Sequence, residues 1–390
     1  MDWGQRFWDY GASGFYSANV WNYTWPNQPP GTIYLFAATY KLYKAVFSFF
    51  WWMNIKIPLF PSNLMLFFES NLYPALTHLP AILADLGIAY LIYSFFKKQK
   101  MEKAGIFGSI AFLVNPVIWY NSSVWGQTDS VINFLALFAF ILLLERKLIW
   151  ATLALALSFY IKASLFIFAP IFLIIALRQR YGFWKIFSAV FVSVGLIVLF
   201  TMPFSPGAPV SWLISIYQQK VFTQQLQIIT ANAFNLWAAV AGIHERPHTL
   251  LLGPFSYKTW GLLLFGLSYI PAAWSIYRKQ DWKSVFWSLA VVSFASFSLL
   301  TNMHERYLYP LFPVLSLLTA GNLSLMPLLA SVSVISLVNL YNFWWVPRIN
   351  FLIDFLSAWD RLVPRVLGLT VTFIFLLFYK RFFQFSKARK

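Results

Sequence analysis

The chain has no cysteine at all, which excludes disulfides, thiolate metal sites and cysteine nucleophiles. Charge is almost as scarce. Only 11% of the residues are charged, against roughly 25% in a soluble globular domain. Acidic residues number just 12, so candidate acids and bases can be weighed nearly one by one. Two catalytic signatures are missing too: Asp-x-Asp and the Gly-x-x-x-x-Gly-Lys phosphate loop. Their absence argues against a nucleotide-driven pump or a metal-held nucleotide-sugar site.

Apolar residues are what the chain has in excess. Sixty per cent are hydrophobic, with 42 Phe, 20 Tyr and 19 Trp, a composition that suits acyl tails and the interfacial belt where Trp and Tyr settle. A membrane span needs about 20 mainly apolar residues. Such runs fall near 75–96, 104–122, 129–145, 148–161, 163–177, 184–202, 257–277, 284–300, 307–321, 324–345 and 364–380. The expected fold is therefore an all-α polytopic transmembrane bundle of about eleven spans. Short runs on either side of Lys162 predict half-helices meeting at a break, a device tolerated in a membrane where it lines a cavity.

The net charge of +17 sits in short clusters between those runs: Lys97 to Lys103, Arg146 and Lys147, Arg178 to Lys185, Arg278 to Lys283, and the tail from Lys380. Basic loops stay in the cytoplasm, and threading the spans in turn puts all five clusters on one side. No basic patch with interleaved aromatics stands on a soluble module, so nucleic acid is not expected as a partner. The outer side then receives residues 1–74, the loop before Asp129, a long loop near 203–256, the loop holding His304 and the stretch near 346–363. Residues 31–52 are apolar but carry Lys41 and Lys44; they predict an amphipathic helix on the outer surface, started by Pro26, Pro29 and Pro30. The chain reads as one membrane domain, an outer segment over 1–74 and a bundle over 75–390. Because Met1-Asp2 threads as an outer loop, a further span is expected upstream.

Candidate chemistry lies on the outer side. Asp2 and Asp9 stand on the first segment, Asp129 at the mouth of a span, Glu305 on a later loop, and Asp85 inside a span where it needs a partner or a polar cavity. Lys162 either snorkels or faces an anion. His304-Glu305-Arg306 is either an interfacial cap or an anion clamp, the arginine fork matching phosphate oxygens. Trp125-Gly-Gln127-Thr-Asp129 and Asn232-Ala-Phe-Asn235-Leu-Trp237 read singly as a helix cap and an interfacial turn.

In this order, these pieces resemble the GT-C superfamily of integral-membrane glycosyltransferases. The nearest look-alikes are bacterial mannosyltransferases related to GPI mannosyltransferase II and the glucosyltransferases of N-glycan assembly. Asp2 through Trp8, Trp25 to Pro30, Leu79 to Asp85, Asn115-Pro116, Trp125 to Asp129, Tyr160 to Lys162, Asn232 to Trp237 and His304 to Arg306 carry the resemblance. It implies inverting transfer of a hexose, mannose foremost, from a polyprenyl-phosphate sugar to a hydroxyl of a lipid-linked or glycan acceptor. The reaction runs at the extracytoplasmic face of the cell membrane, without cofactor or obligatory metal. Asp2 matches the family's base, with Asp9 the second choice. Lys162, His304 and Arg306 are implied to hold the donor phosphate, and Gln127, Asp129, Asn232, Asn235 and Trp237 to bind substrate. The rival class is a multi-span lipid or glycoconjugate transporter or flippase, in which Lys162 and Asp85 are coupling charges.

Overall fold

The computed structural model describes residues 2–18, 25–222 and 226–387. Within them the chain is helical almost throughout. The helices are α1 (Asp2–Phe15), α2 (Pro30–Lys56), α3 (Asn63–Lys98), α4 (Glu102–Leu113), α5 (Pro116–Trp119), α6 (Asp129–Leu144), α7 (Leu148–Ile161) and α8 (Ala169–Arg178). They continue as α9 (Phe183–Thr201), α10 (Pro209–Ile216), α11 (Leu236–Ala241), α12 (Tyr257–Arg278), α13 (Trp282–Leu299), α14 (Leu311–Gly321), α15 (Met326–Tyr341) and α16 (Asn350–Lys387). The strands among the described residues are one two-residue pair, β1 (Leu251–Leu252) with β2 (Phe255–Ser256).

Among the described residues, six helical segments are long and apolar enough to cross a membrane: α3, α9, α12, α13, Leu323–Tyr341 and α16. A seventh is added if α4 and Pro116–Val124, bent by 48° at Asn115, count as one. Asp129–Leu144, Leu148–Ile161, Ala163–Arg178 and Leu311–Gly321 are apolar but shorter. This inventory is compatible with a multi-pass membrane protein, and each of the eleven predicted runs falls on one of these segments. Exposure follows the same logic. Leu83, Leu86 and Tyr90 on α3, Phe191 and Val194 on α9, and Phe373 and Leu376 on α16 stand out from mid-helix, where a soluble protein rarely leaves so broad an apolar surface.

The centre of the bundle is α13, buried from Ser284 through Leu299 and wrapped by α12, α14 and α16. Its serines let neighbours approach closely, as small residues do between apolar helices; Ser288 donates to the carbonyl of Ala272 at 3.0 Å. Phe294 packs edge-on against Phe375 of α16 at 5.4 Å.

The five basic clusters gather at one end of the bundle. Lys98 and Lys147 grip the two oxygens of Glu145 at 2.5 and 2.6 Å, and Arg146 donates to the Gln179 carbonyl at 2.7 Å. Arg178 lies over the Tyr277 ring at 4.7 Å, Trp282 packs on Phe95 and Phe96 at 5.7 Å, and Arg381 donates to the Ser324 carbonyl at 3.0 Å. The chain past residue 387 lies outside the described residues.

Two features differ from the sequence reading. Helix α3 begins at Asn63, not near 75, and its 36 residues extend about 54 Å, well beyond the roughly 30 Å of a bilayer core. Helix α2 starts at Pro30 as the prolines predict, yet it is not one-sided. Its buried residues crowd into the stretch from Pro30 to Thr39, while Phe49, Trp51, Trp52 and Ile55 are exposed on several faces. It pairs instead with the front of α3, Tyr43 stacking on Tyr73 and Phe50 against Phe68.

The start of α2 is seated on the end of α7. Thr32 donates its hydroxyl to the Ile161 carbonyl, and a Cβ on Gly31 would stand 2.6 Å from the Tyr160 carbonyl oxygen and 2.9 Å from Ile161 Cα. Those neighbours are backbone and cannot swing aside. Gly31→Ala is therefore expected to cost about 1–3 kcal/mol through overpacking, read as a lowered unfolding temperature in detergent. A variant as stable as wild type would mean that α2 does not seat there.

Candidate functional site

The end of the bundle opposite the basic clusters holds the charged interior. Asn115 caps α5 by accepting from Val117 N at 3.1 Å and donates to Ser333 Oγ at 2.8 Å, which fixes the bend after α4. A π turn over Tyr120–Val124 follows, then Gly126 at φ +76°. Any side chain there would strike the His78 ring at 2.3 Å, so glycine is required. The turn delivers Asp129 as the first residue of α6, where a carboxylate suits the helix N-terminus.

Lys162 reaches the same point from α7. That helix stops at Ile161, Lys162 is extended (φ −154°), and a 3₁₀ segment over Ala163–Phe168 leads into α8, so the predicted break is present. Lys162 Nζ donates to Asp129 Oδ1 at 2.6 Å, both side chains being buried. Arg306 comes from the loop between α13 and α14. Its Nη1 donates to Glu305 Oε1 at 2.7 Å, while its Nε stands 3.9 Å from Asp129 Oδ2, too far for a hydrogen bond. Tyr307 covers both cations, its ring 5.6 Å from Lys162 Nζ and 5.5 Å from the guanidinium, which Trp125 flanks at 5.3 Å on its own side.

Several buried atoms here have no hydrogen-bond partner among the described residues: Asp129 Oδ2, Arg306 Nε, Glu305 Oε2, His304 Nδ1 and both amide atoms of Asn121. Buried polar atoms are normally satisfied, so this concentration at one point makes the cluster the candidate site. A cavity of 220 Å³ opens beside it. Asp129, Lys162, Ser164 and Asn302 supply its polar wall, and Val221, Phe222, Ile167 and Met303 its apolar one.

His304 differs from its expected role. Burial first, then the nearby Arg306 and Lys162, hold its imidazole down to about 3 from the usual 6.5, so it is neutral near pH 7. It can donate or accept a hydrogen bond to an anion but adds no positive charge. Its 3.9 Å approach to Glu305 is accordingly not an ion pair. Burial also pushes the Glu305 carboxyl up, against the pull of Arg306.

Asn232 fixes this loop in place. With φ +68° it forms a bridge to His304, and Ala231 N donates to the Met303 carbonyl at 3.0 Å. Its own amide is held by Asn342 Nδ2 at 2.7 Å and its carbonyl by Asn339 Nδ2 at 2.6 Å, both from the end of α15. Asn235 and Trp237 stand behind the site. The Asn235 side chain caps α11 and donates to the Phe297 carbonyl at 3.0 Å, and Trp237 Nε1 donates to the Leu299 carbonyl at 2.7 Å, so both tie α11 to the end of α13. Gln127 is half-buried in the turn before α6 and donates its backbone N–H to the Asn121 carbonyl at 2.9 Å.

Asp2 accepts from Arg6 Nε at 3.2 Å through one oxygen, and its other oxygen is buried with no hydrogen-bond partner among the described residues. The first turn of α1 packs on Phe36 and Tyr73; a Cβ on Gly4 would meet each at 2.4 Å. Asp9 is exposed, 3.9 Å from Arg6 Nη1. Neither aspartate forms an ion pair with the Lys162 cluster among the described residues. Asp85 finds its partner in Tyr309, whose hydroxyl donates to Oδ1 and also meets Ser130 Oγ at 2.9 Å. It is a buried packing link between α3 and the loop before α14, and the Ser130 that shares Tyr309 with it follows Asp129 in sequence.

The residues missed by the sequence reading are Asn121, Tyr307, Asn339 and Asn342. A signal existed for Asn339, a lone amide inside the apolar run of α15. Comparison of the chain with protein-family models and with curated proteins finds no match.

Proposed function

We propose that the protein is a multi-pass membrane glycosyltransferase of GT-C type, transferring a hexose from a polyprenyl-phosphate sugar to an acceptor hydroxyl at the face opposite the basic loops. The observation that carries this reading is the meeting of Lys162 and Arg306, from distant parts of the chain, over one carboxylate beside a cavity with a polar and an apolar wall. Such a wall pair suits an anionic headgroup on an isoprenoid tail.

The chemistry assigns each group a task. The acceptor hydroxyl gives its proton to the Asp2 carboxylate while its oxygen attacks the anomeric carbon from the face opposite the phosphate. The bond from that carbon to the phosphate oxygen breaks, its electron pair staying with the phosphate, whose charge grows from one negative to two. Lys162 and Arg306 meet that growing charge in a water-poor site, where fixed cations stabilise a transition state most. The 3.9 Å gap between Arg306 Nε and Asp129 leaves a guanidinium donor available to a phosphate oxygen. Neutral His304 contributes a hydrogen bond.

The test is incubation of the purified full chain with a polyprenyl-phosphate hexose and a series of hydroxyl acceptors, read as labelled product. Transfer with inversion is expected. Neither transfer nor hydrolysis with any donor, together with movement of the donor across reconstituted vesicles, would replace this reading with transport.

A further inference from the structure

At the basic end of the bundle, α13, α14 and α16 enclose a cleft of 530 Å³ floored by Gly321 and walled by Trp282 and Trp287, with Lys283 and Arg381 at its rim. A second cleft of 390 Å³ shares Arg381 and Gln384 and runs between α15 and α16 past Leu328, Ile374 and Phe378, with Lys380 added. Among the residues lining the two clefts there are three cations and no carboxylate. Elsewhere at this end Lys98 and Lys147 are neutralised by Glu145, Lys97 faces Glu102 at 3.9 Å, and Lys279 faces Asp281 at 4.0 Å.

The walls are firm. Trp287 stacks between Phe378 at 5.0 Å and Phe385 at 5.5 Å, and Trp282 leaves so little room over Gly321 that a Cβ there would stand 3.0 Å from its ring. Arg381 is oriented by its bond to the Ser324 carbonyl, and Lys283 lies over the Trp282 ring at 5.4 Å. Cations at the ends of apolar helices, with an aromatic wall on one side and an aliphatic groove on the other, suit a ligand that is anionic at one end and apolar at the other.

We propose that these joined clefts bind an anionic glycerophospholipid, its phosphate between Lys283 and Arg381 and an acyl chain along the groove between α15 and α16. This site rests on the multi-pass reading but not on the donor site, which lies at the other end of the bundle. A soluble anion would use the cations and leave the groove unfilled.

The experiment takes the full chain in detergent with equal amounts of phosphatidylglycerol and phosphatidylcholine, and counts retained lipid by native mass spectrometry. A preference of about thirtyfold for phosphatidylglycerol is expected, from two cations contributing about 1 kcal/mol each. It should survive excess inorganic phosphate. Lys283→Gln/Arg381→Gln is expected to abolish the preference, while Lys100→Gln/Lys103→Gln keeps it. Equal retention of the two lipids, displacement by inorganic phosphate, or an unchanged preference in the first double variant would each overturn the proposal. Should that variant fail to fold, a photoreactive phosphatidylglycerol on the wild-type chain decides instead: crosslinks to peptides of α13, α15 and α16 are expected, and crosslinks confined elsewhere refute the site. Loss of transfer activity would bear on none of these readouts.

Discussion

Lys162→Met is expected to lower stability by about 3–5 kcal/mol, because it strands the Asp129 carboxylate in the interior without its ammonium partner. Among the described residues the only other cation beside that carboxylate is Arg306, 3.9 Å away and already committed to Glu305. The penalty comes from the unpaired charge rather than from the lost contact. Lys162→Met/Asp129→Leu should therefore recover most of the stability, since apolar replacement of a buried ion pair is often neutral or favourable. Donor turnover should stay lost in both variants if Lys162 meets the phosphate. Unfolding followed by tryptophan fluorescence in detergent reads the first effect and labelled transfer the second. A double variant no more stable than the single one would show that the pair is not held together by charge; a double variant with full activity would remove Lys162 from the donor site.

The second large effect is expected at Asp2. Asp2→Asn keeps the size of the side chain and the contact with Arg6 but cannot take a proton, and a lost general base lowers turnover about 10²–10⁴-fold. Donor affinity should hardly change. Asp9→Asn should leave turnover at the wild-type level, because Asp9 is exposed whereas one oxygen of Asp2 is buried and free of hydrogen bonds to the described residues. Turnover unchanged in Asp2→Asn would exclude it as the base. A fall confined to Asp9→Asn would move the role there.

Much of the frame could be read along the chain because local rules decide it. Proline suits the first turn of a helix, and α2 starts at Pro30. A lysine amid apolar residues is tolerated only at an interface or a cavity, and α7 breaks at Lys162. Apolar runs tend to be helical because a helix satisfies its own backbone, and a helical segment lies on each of the eleven, six of them, or seven with the bent pair, long enough to cross a membrane. Where a rule looked only at composition it fell short. The stretch over 63–74 contains Glu69, Ser70 and Asn71, which hid its continuity with the apolar part of α3.

By itself, then, the amino-acid sequence determined the helical class, the apolar surface, the gathering of the basic clusters at one end and the break at Lys162. Each depends on neighbours within a turn or two, or on the alternation of loops. The tertiary structure alone decided which polar residues share a site. Asp129, Lys162 and Arg306 meet because α6, α7 and the loop after α13 end at one level, while Asn235 and Trp237, equally plausible in sequence, are used up fastening α11 to α13. Charge state is collective as well. His304 reads as a cation in sequence and is neutral in the fold, since burial and two neighbouring cations act together on its imidazole.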